Sequence, residues 1–116
     1  MKFNRFEDIQ AWQKAKVLKD RIYQLFEHSK DYGFKDQIQR SALSIPSNVA
    51  EGDELETDKQ SIRHFYIARG STAELLTQLI IAQEIGYIDN EIRVTLVNEC
   101  KIISVMLTKL ISSRSK

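Results

Sequence analysis

The chain has 116 residues, of which 42% are hydrophobic and 28% are charged, so the sequence predicts one globular domain over residues 1–116 and excludes an intrinsically disordered protein. Lys and Arg number 17 against 16 Asp and Glu, and the resulting net charge of +1 disfavours nucleic-acid binding through bulk charge, although a local basic patch stays compatible with it. The single cysteine, Cys100, excludes an intrachain disulfide and a four-Cys or Cys-His zinc site.

The remaining composition favours long helices and gives no targeting signal. The first ten residues, MKFNRFEDIQ, carry scattered charges and no apolar segment, so we expect no signal peptide. No apolar run reaches the roughly 20 residues that span a bilayer. With four Gly and one Pro, the chain has few turn residues, which favours a few long elements over many short strands. The expected compartment is the cytoplasm.

Helix 1 is predicted over about residues 5–28. Asn4 and Glu7 have the spacing of a capping box at its start. Apolar residues follow at intervals of three and four, which is typical of one buried helix face. Gly33 is expected to close the helix in the left-handed conformation. The apolar stripe consists of Phe6, Ile9, Ala15, Leu18, Ile22, Leu25 and Phe26.

Helix 2 is predicted over about residues 34–51, with Gly52 as its C-terminal stop. Pro46 lies in its middle, where it lacks a backbone donor and crowds the carbonyl of Ala42. Two interpretations are open. Either the helix continues with a bend, the hydroxyls of Ser44 and Ser47 bonding the freed carbonyls, or it stops near Leu43 and a new segment starts at Pro46. We favour the bend, because the apolar spacing continues across the proline.

Helix 3 is predicted over about residues 58–84 and helix 4 over about residues 89–112. Thr57 is the expected N-cap of helix 3 and Asp89 of helix 4, and Gly86 closes helix 3. The second half of helix 3 is apolar around most of its circumference, so we expect it to be covered on two sides.

Four helices with short connections predict an all-α, antiparallel up-down-up-down four-helix bundle with helix 2 bent near Pro46. The apolar faces of helices 3 and 4 are wider than a small bundle needs. We interpret them as an oligomer interface, with an unusually wide monomer core as the alternative. Antiparallel pairing should place Ser41 and Ala42 level with residues 68–70, where Gly70 would allow close approach of the two helices.

Three segments carry a family resemblance. Residues 41–52, SALSIPSNVAEG, resemble the SIPSNIAEG-type signature of the bacterial four-helix bundle proteins encoded in intervening sequences of large-subunit ribosomal RNA genes. Residues 6–15 and 64–88 are similar to that family's N-terminal and third-helix motifs. The departures are Val49, where Ile is usual, and Ser41, where Ala is frequent. The signature positions are Ser44, Pro46, Asn48, Glu51, Gly52 and, in helix 3, Gly70.

The resemblance implies an antiparallel bundle that assembles as a ring, typically a homopentamer, and it implies no enzyme. The family also resembles the accessory variability protein of diversity-generating retroelements, which binds nucleic acid and a reverse transcriptase. Labels that mention the ribosome reflect gene location in this family. The expected partner is therefore another copy of the chain.

Residue chemistry points to no catalytic, metal or cofactor site. The sequence lacks an HExxH motif, a Gly-rich phosphate loop and the paired Glu-x-x-His of di-iron bundles. Cys100 lies on the core stripe of helix 4 and is interpreted as a buried apolar residue. We expect no enzymatic activity, no cofactor and no small-molecule substrate. The side chains considered were His28, His64, Cys100, Glu51, Glu54 and Glu56.

Two polar sets have both a structural and a functional interpretation. Asn48 and Glu51 lie one turn apart on helix 2, and we expect them to cap the Gly52 loop and pair with Lys14 or Lys59 rather than bind a ligand. The basic residues are interpreted as a solvated surface, with contact to RNA or DNA as the rival function of an accessory protein. The candidates for that contact are Lys14, Lys16, Lys19, Arg21, Arg40, Arg63 and Arg69.

Overall fold

The computed structural model describes Phe6, residues 9–55 and residues 57–115. Four helices account for most of these residues, and the described part contains no strand. The predicted all-α four-helix arrangement is therefore confirmed. The helices are α1 (Gln10–Leu25), α2 (Tyr32–Glu54), α3 (Asp58–Glu84) and α4 (Asn90–Arg114).

Each helix packs against two neighbours. α2 lies between α1 and α3, and α3 lies between α2 and α4, as expected for a helix with two apolar flanks. The packing between α1 and α4 is the least extensive of the four. The molecule is elongated, measuring 46 × 21 × 20 Å. Its core is continuous along the bundle and includes Ile22, Ile45, Phe65, Leu79 and Leu107, all inaccessible to solvent.

Helix α1 is shorter than predicted. It begins after Ile9, whose backbone is extended, and ends before Phe26, which leaves the helical region of backbone space. The predicted capping box at Asn4 and Glu7 lies outside the described residues. Phe6 packs edge-on against Trp12, with ring centroids 5.2 Å apart.

The helix stops predicted at Gly33 and Gly52 are wrong, and α2 extends two residues before and three residues beyond the predicted range of about 34–51. Gly33 does not close helix 1; it lies inside α2, because Asp31 caps α2 two residues earlier by accepting a hydrogen bond from the Phe34 amide (3.1 Å). Gly52 does not stop α2 either, and the helix continues to Glu54 before Leu55 becomes extended. Among the described glycines only Gly86 has a positive φ, +85°, and it ends α3 as predicted.

Helix α2 is continuous through Pro46, so a break near Leu43 is wrong. The predicted role of the serines also differs. Ser44 Oγ lies 2.8 Å from Ser71 Oγ of α3 rather than on a freed carbonyl. Pro46 itself is buried, and burial of apolar surface around it offsets a proline cost of about 3 kcal/mol.

The starts of α3 and α4 follow the sequence. Thr57 Oγ1 accepts from the Gln60 amide at 3.2 Å, and Asp89 Oδ1 accepts from the Ile92 amide at 2.8 Å. The predicted bounds of α3 are confirmed, and α4 extends two residues beyond its predicted end to Arg114.

Candidate functional site

The polar side chains between α2 and α3 form one line along the bundle, which we call the polar ladder: Ser41, Ser44 and Asn48 of α2 with His64, Ser71 and Glu74 of α3. Ser41 Oγ donates to Glu74 Oε1 at 2.6 Å. The hydroxyls of Ser44 and Ser71 are 2.8 Å apart. The ladder therefore fixes the register of the two helices through directional bonds in a partly buried interface.

Asn48 links the ladder to His64. Its amide nitrogen donates to the carbonyl and the hydroxyl of Ser44 at 2.9 and 3.0 Å. Its Oδ1 lies 3.0 Å from His64 Nδ1. Because Oδ1 can only accept, Nδ1 of His64 carries the proton, and the network assigns the tautomer.

Glu51 does not pair with Lys14 or Lys59 as predicted. Its Oε2 lies 3.9 Å from His64 Nδ1, on the rim of the ladder. Lys14 is on the opposite side of the bundle, where its Nζ lies 4.0 Å from Glu99 of α4. Sequence reasoning placed Asn48 and Glu51 at the correct end of α2 but missed His64 as their common neighbour.

The close approach between α2 and α3 occurs at Gly52 and not at Gly70. A Cβ built on Gly52 would lie 2.9 Å from Cε1 of Phe65, which is fully buried. A Cβ on Gly70 would have no atom within 4 Å. The predicted register was about one helical turn out, since Ser41 lies beside Glu74 rather than beside residues 68–70. Gly70 is consequently on the outer surface.

The Gly52 end of the α2–α3 interface is held by a partly buried ion pair. Asp53 is only 4% exposed, and its Oδ1 accepts from Arg114 in the last turn of α4 at 3.2 Å. The Arg114 guanidinium also lies 5.4 Å from the Phe65 ring centroid. Ser61 Oγ donates to the Gly52 carbonyl at 2.7 Å. These contacts join three helices around the signature glycine.

Sequence reasoning missed the α3 half of this arrangement. The signal was present, because Ser61, His64, Ser71 and Glu74 recur at spacings of three and seven, which places them along one side of a helix. Ser41, Ser44 and Asn48 repeat the pattern on α2 at spacings of three and four. Matched polar stripes on consecutive antiparallel helices predict an interhelical hydrogen-bond network.

The interface between α1 and α4 is open by comparison. It contains a hollow of about 390 Å³ that we call the α1–α4 groove. The groove is lined by Gln13, Lys14, Val17, Leu18, Arg21, Thr95, Leu96 and Glu99.

The candidates for nucleic-acid contact are not brought together. They lie on three helices, with Lys14, Lys16, Lys19 and Arg21 on α1, Arg40 on α2, and Arg63 and Arg69 on α3. Lys16 and Lys19 both bind Asp20, at 3.0 and 2.6 Å, and these contacts lower the pKa of the Asp20 carboxyl, with Lys19 as the larger cause. Arg69 donates to Thr108 of α4 at 3.1 Å and stacks on Tyr66.

The residues considered for catalysis are equally dispersed. Burial raises the pKa of the Cys100 thiol to about 12, so the nucleophilic thiolate is disfavoured. His28 is exposed beside Glu27, whereas Glu56 lies outside the described residues. Within the described ranges, no three His, Cys, Asp or Glu side chains are grouped so that they could hold a metal ion. In the same part of the chain, no helix is long and apolar enough to cross a membrane.

Comparison with known proteins places this architecture. A solved structure of a protein of unknown function from the S23 ribosomal protein family of Bacteroides thetaiotaomicron VPI-5482 superposes with a TM-score of 0.81 at 24% identity, covering 87% of this chain and 97% of that one. This likeness shows the fold. No curated protein matches the chain. The model of the 23S rRNA-intervening sequence protein family matches residues 7–109, nearly the whole bundle. The chain therefore belongs to the 23S rRNA-intervening sequence protein family.

Proposed function

We propose that this protein is a non-enzymatic, self-associating helical bundle that acts as a ring-forming scaffold or interaction module, with the homopentamer as the expected assembly. The observation that carries the proposal is the distribution of exposed large apolar side chains. Of the 13 such side chains in the described residues, nine belong to α3, α4 and the turn between them. They are Tyr66, Ile67, Ile80, Ile81, Ile85, Tyr87, Val94, Ile102 and Val105.

An apolar surface of this kind is costly on a monomer. Burying it yields roughly 25 cal/mol per Å² of area removed from water, so association is its simplest use. The core does not need these side chains, because it is already continuous from α1 to α4 without them. The wide apolar faces anticipated from the sequence are thus available to a neighbour.

We place self-association before nucleic-acid binding because of the charge distribution. The basic candidates lie on three helices, and Lys14, Lys16 and Lys19 already have carboxylate partners. A protein that contacts several phosphates needs its cations on one surface.

Light scattering after size-exclusion chromatography tests the proposal. At micromolar concentration we expect a mass near five times the 13.5 kDa of the chain. A stable oligomer whose mass corresponds to a number of copies other than five would correct the stoichiometry. A monomer at tens of micromolar would overturn the function as proposed. Retention of RNA or DNA at low salt, lost steeply as salt rises, would favour the accessory-protein alternative.

A further inference from the structure

The α1–α4 groove has an apolar floor and a free cation on its rim. Val17, Leu18 and Leu96 form the floor, and Val17 is 66% exposed although it is apolar. Arg21 lines the same hollow and forms no ion pair within the described residues. Farther along the same two helices, Ile9, Met106 and Leu110 line a second hollow of about 360 Å³, together with Lys109. Two hollows with apolar side chains in their lining thus follow one another along α1 and α4.

The outer face of α3 carries an exposed surface without charged side chains. From residue 66 to residue 81 its members recur at intervals of three and four residues, and we call this surface the α3 stripe. The Arg69 guanidinium lies 4.8 Å from the Tyr66 ring centroid and donates to Thr108, so the stripe begins on the side of α3 toward α4. One turn beyond the stripe is Glu84, exposed and without an ion pair in the described part of the chain. The stripe comprises Tyr66, Gly70, Ala73, Thr77, Ile80 and Ile81.

The groove and the stripe lie at matching heights along the bundle. Arg21 of α1 and Thr95 of α4 line the same hollow and are therefore at about the same height. Arg93, two residues before Thr95 on α4, donates from its Nε to Gln83 Oε1 of α3 at 2.9 Å. Glu84 follows Gln83, so the carboxylate and Arg21 are at one level.

The other end of the stripe gives the same correspondence. The contact between Arg69 and Thr108 places Gly70 beside the part of α4 that lines the second hollow. Along the bundle axis, the apolar surface and the unpaired charge therefore follow each other in the same order in the groove, with Arg21, as in the stripe, with Glu84.

We propose that the α3 stripe of one copy lies in the α1–α4 groove of the next copy, with the Glu84 carboxylate on the Arg21 guanidinium. This inference rests on the proposed self-association and names its interface. A rotation about an axis parallel to the bundle keeps every residue at its height and keeps α1 and α3 of neighbours parallel, as the matching heights require. Because the stripe and the groove are two different surfaces of the chain, the contact is heterologous, and heterologous contacts that close produce a ring.

Cysteine cross-linking tests the pairing directly. Val17→Cys and Ile81→Cys each place a thiol on one of the two surfaces, whereas the native Cys100 is buried and unreactive. Since each variant carries only one introduced thiol, a disulfide between the two different thiols must join two copies. We expect a cross-linked dimer when the two variants are co-expressed and mildly oxidised, and none from either variant alone.

The matched control pairs Val17→Cys with Leu43→Cys, an exposed apolar position on α2. Cross-linking of this control as strong as that of the test pair would overturn the interface. The same conclusion follows if Val17→Cys forms homodimers by itself, because the groove would then face another groove.

Charge reversal gives a second, independent readout. We expect Arg21→Glu and Glu84→Arg each to weaken association at least tenfold in sedimentation velocity, and the double reversal to restore it. Arg40→Glu on the exposed face of α2 is the control for the charge change, and circular dichroism checks that each variant is folded. An oligomeric wild type that is insensitive to both reversals overturns the interface alone. A monomeric wild type overturns the proposed function together with it.

Discussion

The two long interfaces of α2–α3 and α1–α4 differ in almost every respect. Between α2 and α3 the helices approach closely at Gly52, and hydrogen bonds run along the interface from Ser41 to Ser61. Between α1 and α4 two hollows remain. Among the described residues, the one ion pair that joins these two helices is between Lys14 and Glu99, with an N–O distance of 4.0 Å and both side chains about half-exposed. The signature residues of α2 thus lie at or beside the closed interface, whereas Gly70 of α3 lies on the outer surface, and the two hollows lie at the open interface.

The difference separates stability from association. Directional bonds and close packing specify one register, so changes at the closed interface should lower the free energy of unfolding. The open interface contributes little to the monomer and should tolerate change. This contrast leads to the following predictions.

The largest effect is expected at Gly52. Gly52→Ala should lower the free energy of unfolding by about 1–3 kcal/mol, because its Cβ would lie 2.9 Å from the Phe65 ring and 3.1 Å from His64 Cβ. Urea unfolding followed by circular dichroism measures it. Gly33→Ala, in the same helix, is the control, since its Cβ would meet only Asp31 Oδ1 at 3.9 Å. Equal effects of the two substitutions would contradict the close approach.

Asn48 should matter more than its signature neighbour Glu51. Asn48→Ala removes the bonds to Ser44 and leaves His64 Nδ1 without its acceptor, which should cost about 1–2 kcal/mol. Glu51→Ala should change stability by less than about 0.5 kcal/mol, because its side chain is 63% exposed and 3.9 Å from His64. Thermal melting compares the two, and a reversed order would refute the ladder as the source of stability.

At the other end of the bundle, Tyr87 donates to the Asp31 carboxylate at 2.5 Å. The hydrogen bond from Tyr87 is the larger cause, and that from the Phe34 amide the smaller cause, of a lowered pKa of Asp31. The same bond to Asp31 raises the pKa of Tyr87. The stabilisation from Asp31 is therefore complete above its ordinary pKa of 3.8 and is lost as the pH falls through the lower folded value. The stabilisation that Tyr87 contributes is complete below its ordinary pKa of 10.0 and is lost as the pH rises through its raised folded pKa.

Tyr87→Phe should accordingly lower the melting temperature at pH 7 and have a smaller effect at pH 2. Melting curves of the variant and the wild type from pH 2 to 7 measure the difference. A difference that stays constant over this range would contradict an ionic contribution. Packing of the ring against Phe34, at a centroid distance of 5.5 Å, is retained in the variant and is not expected to contribute to the difference.

The smallest effect is expected at the open interface. Lys14→Ala should change the unfolding free energy by less than about 0.5 kcal/mol, because the pair with Glu99 is long and both side chains are well exposed. Measurement in an Arg21→Glu background keeps the unfolding of single chains separate from dissociation. A loss above about 1 kcal/mol would mean that α1 and α4 are held together more firmly than their contacts indicate.

The sequence was sufficient for the fold because the fold depends on periodicity and caps. Thr57, Asp89 and Gly86 have local signals, and α3 was predicted with its observed bounds. The contacts between helices and the glycine positions that depend on them were harder to predict from the sequence. Gly33 and Gly52 have the same local preference for a helix end as Gly86, and only the cap at Asp31 and the packing at Phe65 decide their position. An error of one turn in register then moved Gly70 from the surface into an interface.

The candidate site was predicted in part for the same reason. Ser44, Asn48 and Gly52 were recognised as a group on α2, but their partners depend on the pairing of two helices whose backbones the sequence does not position. No motif in the sequence pairs His64 with another residue, whereas the structure gives it an acceptor in Asn48 Oδ1. The basic residues share a charge and were predicted to lie on three helices, but their contacts with Asp20, Glu99 and Thr108 depend on side-chain packing.

The ion pair between Asp53 and Arg114 has a consequence for the order in which the chain is made. Every bond of the polar ladder joins residues 4 to 33 positions apart, so the α2–α3 hairpin is complete in sequence once residue 84 has been synthesised. Asp53 and Arg114 are 61 positions apart, and the cation is in the last turn of the last helix. The Arg114 cation therefore reaches the Gly52 end of the bundle only after α4 has been synthesised, whereas the α2–α3 hairpin can close before that. We expect docking of α4, rather than closure of the hairpin, to be the step that completes this end of the bundle.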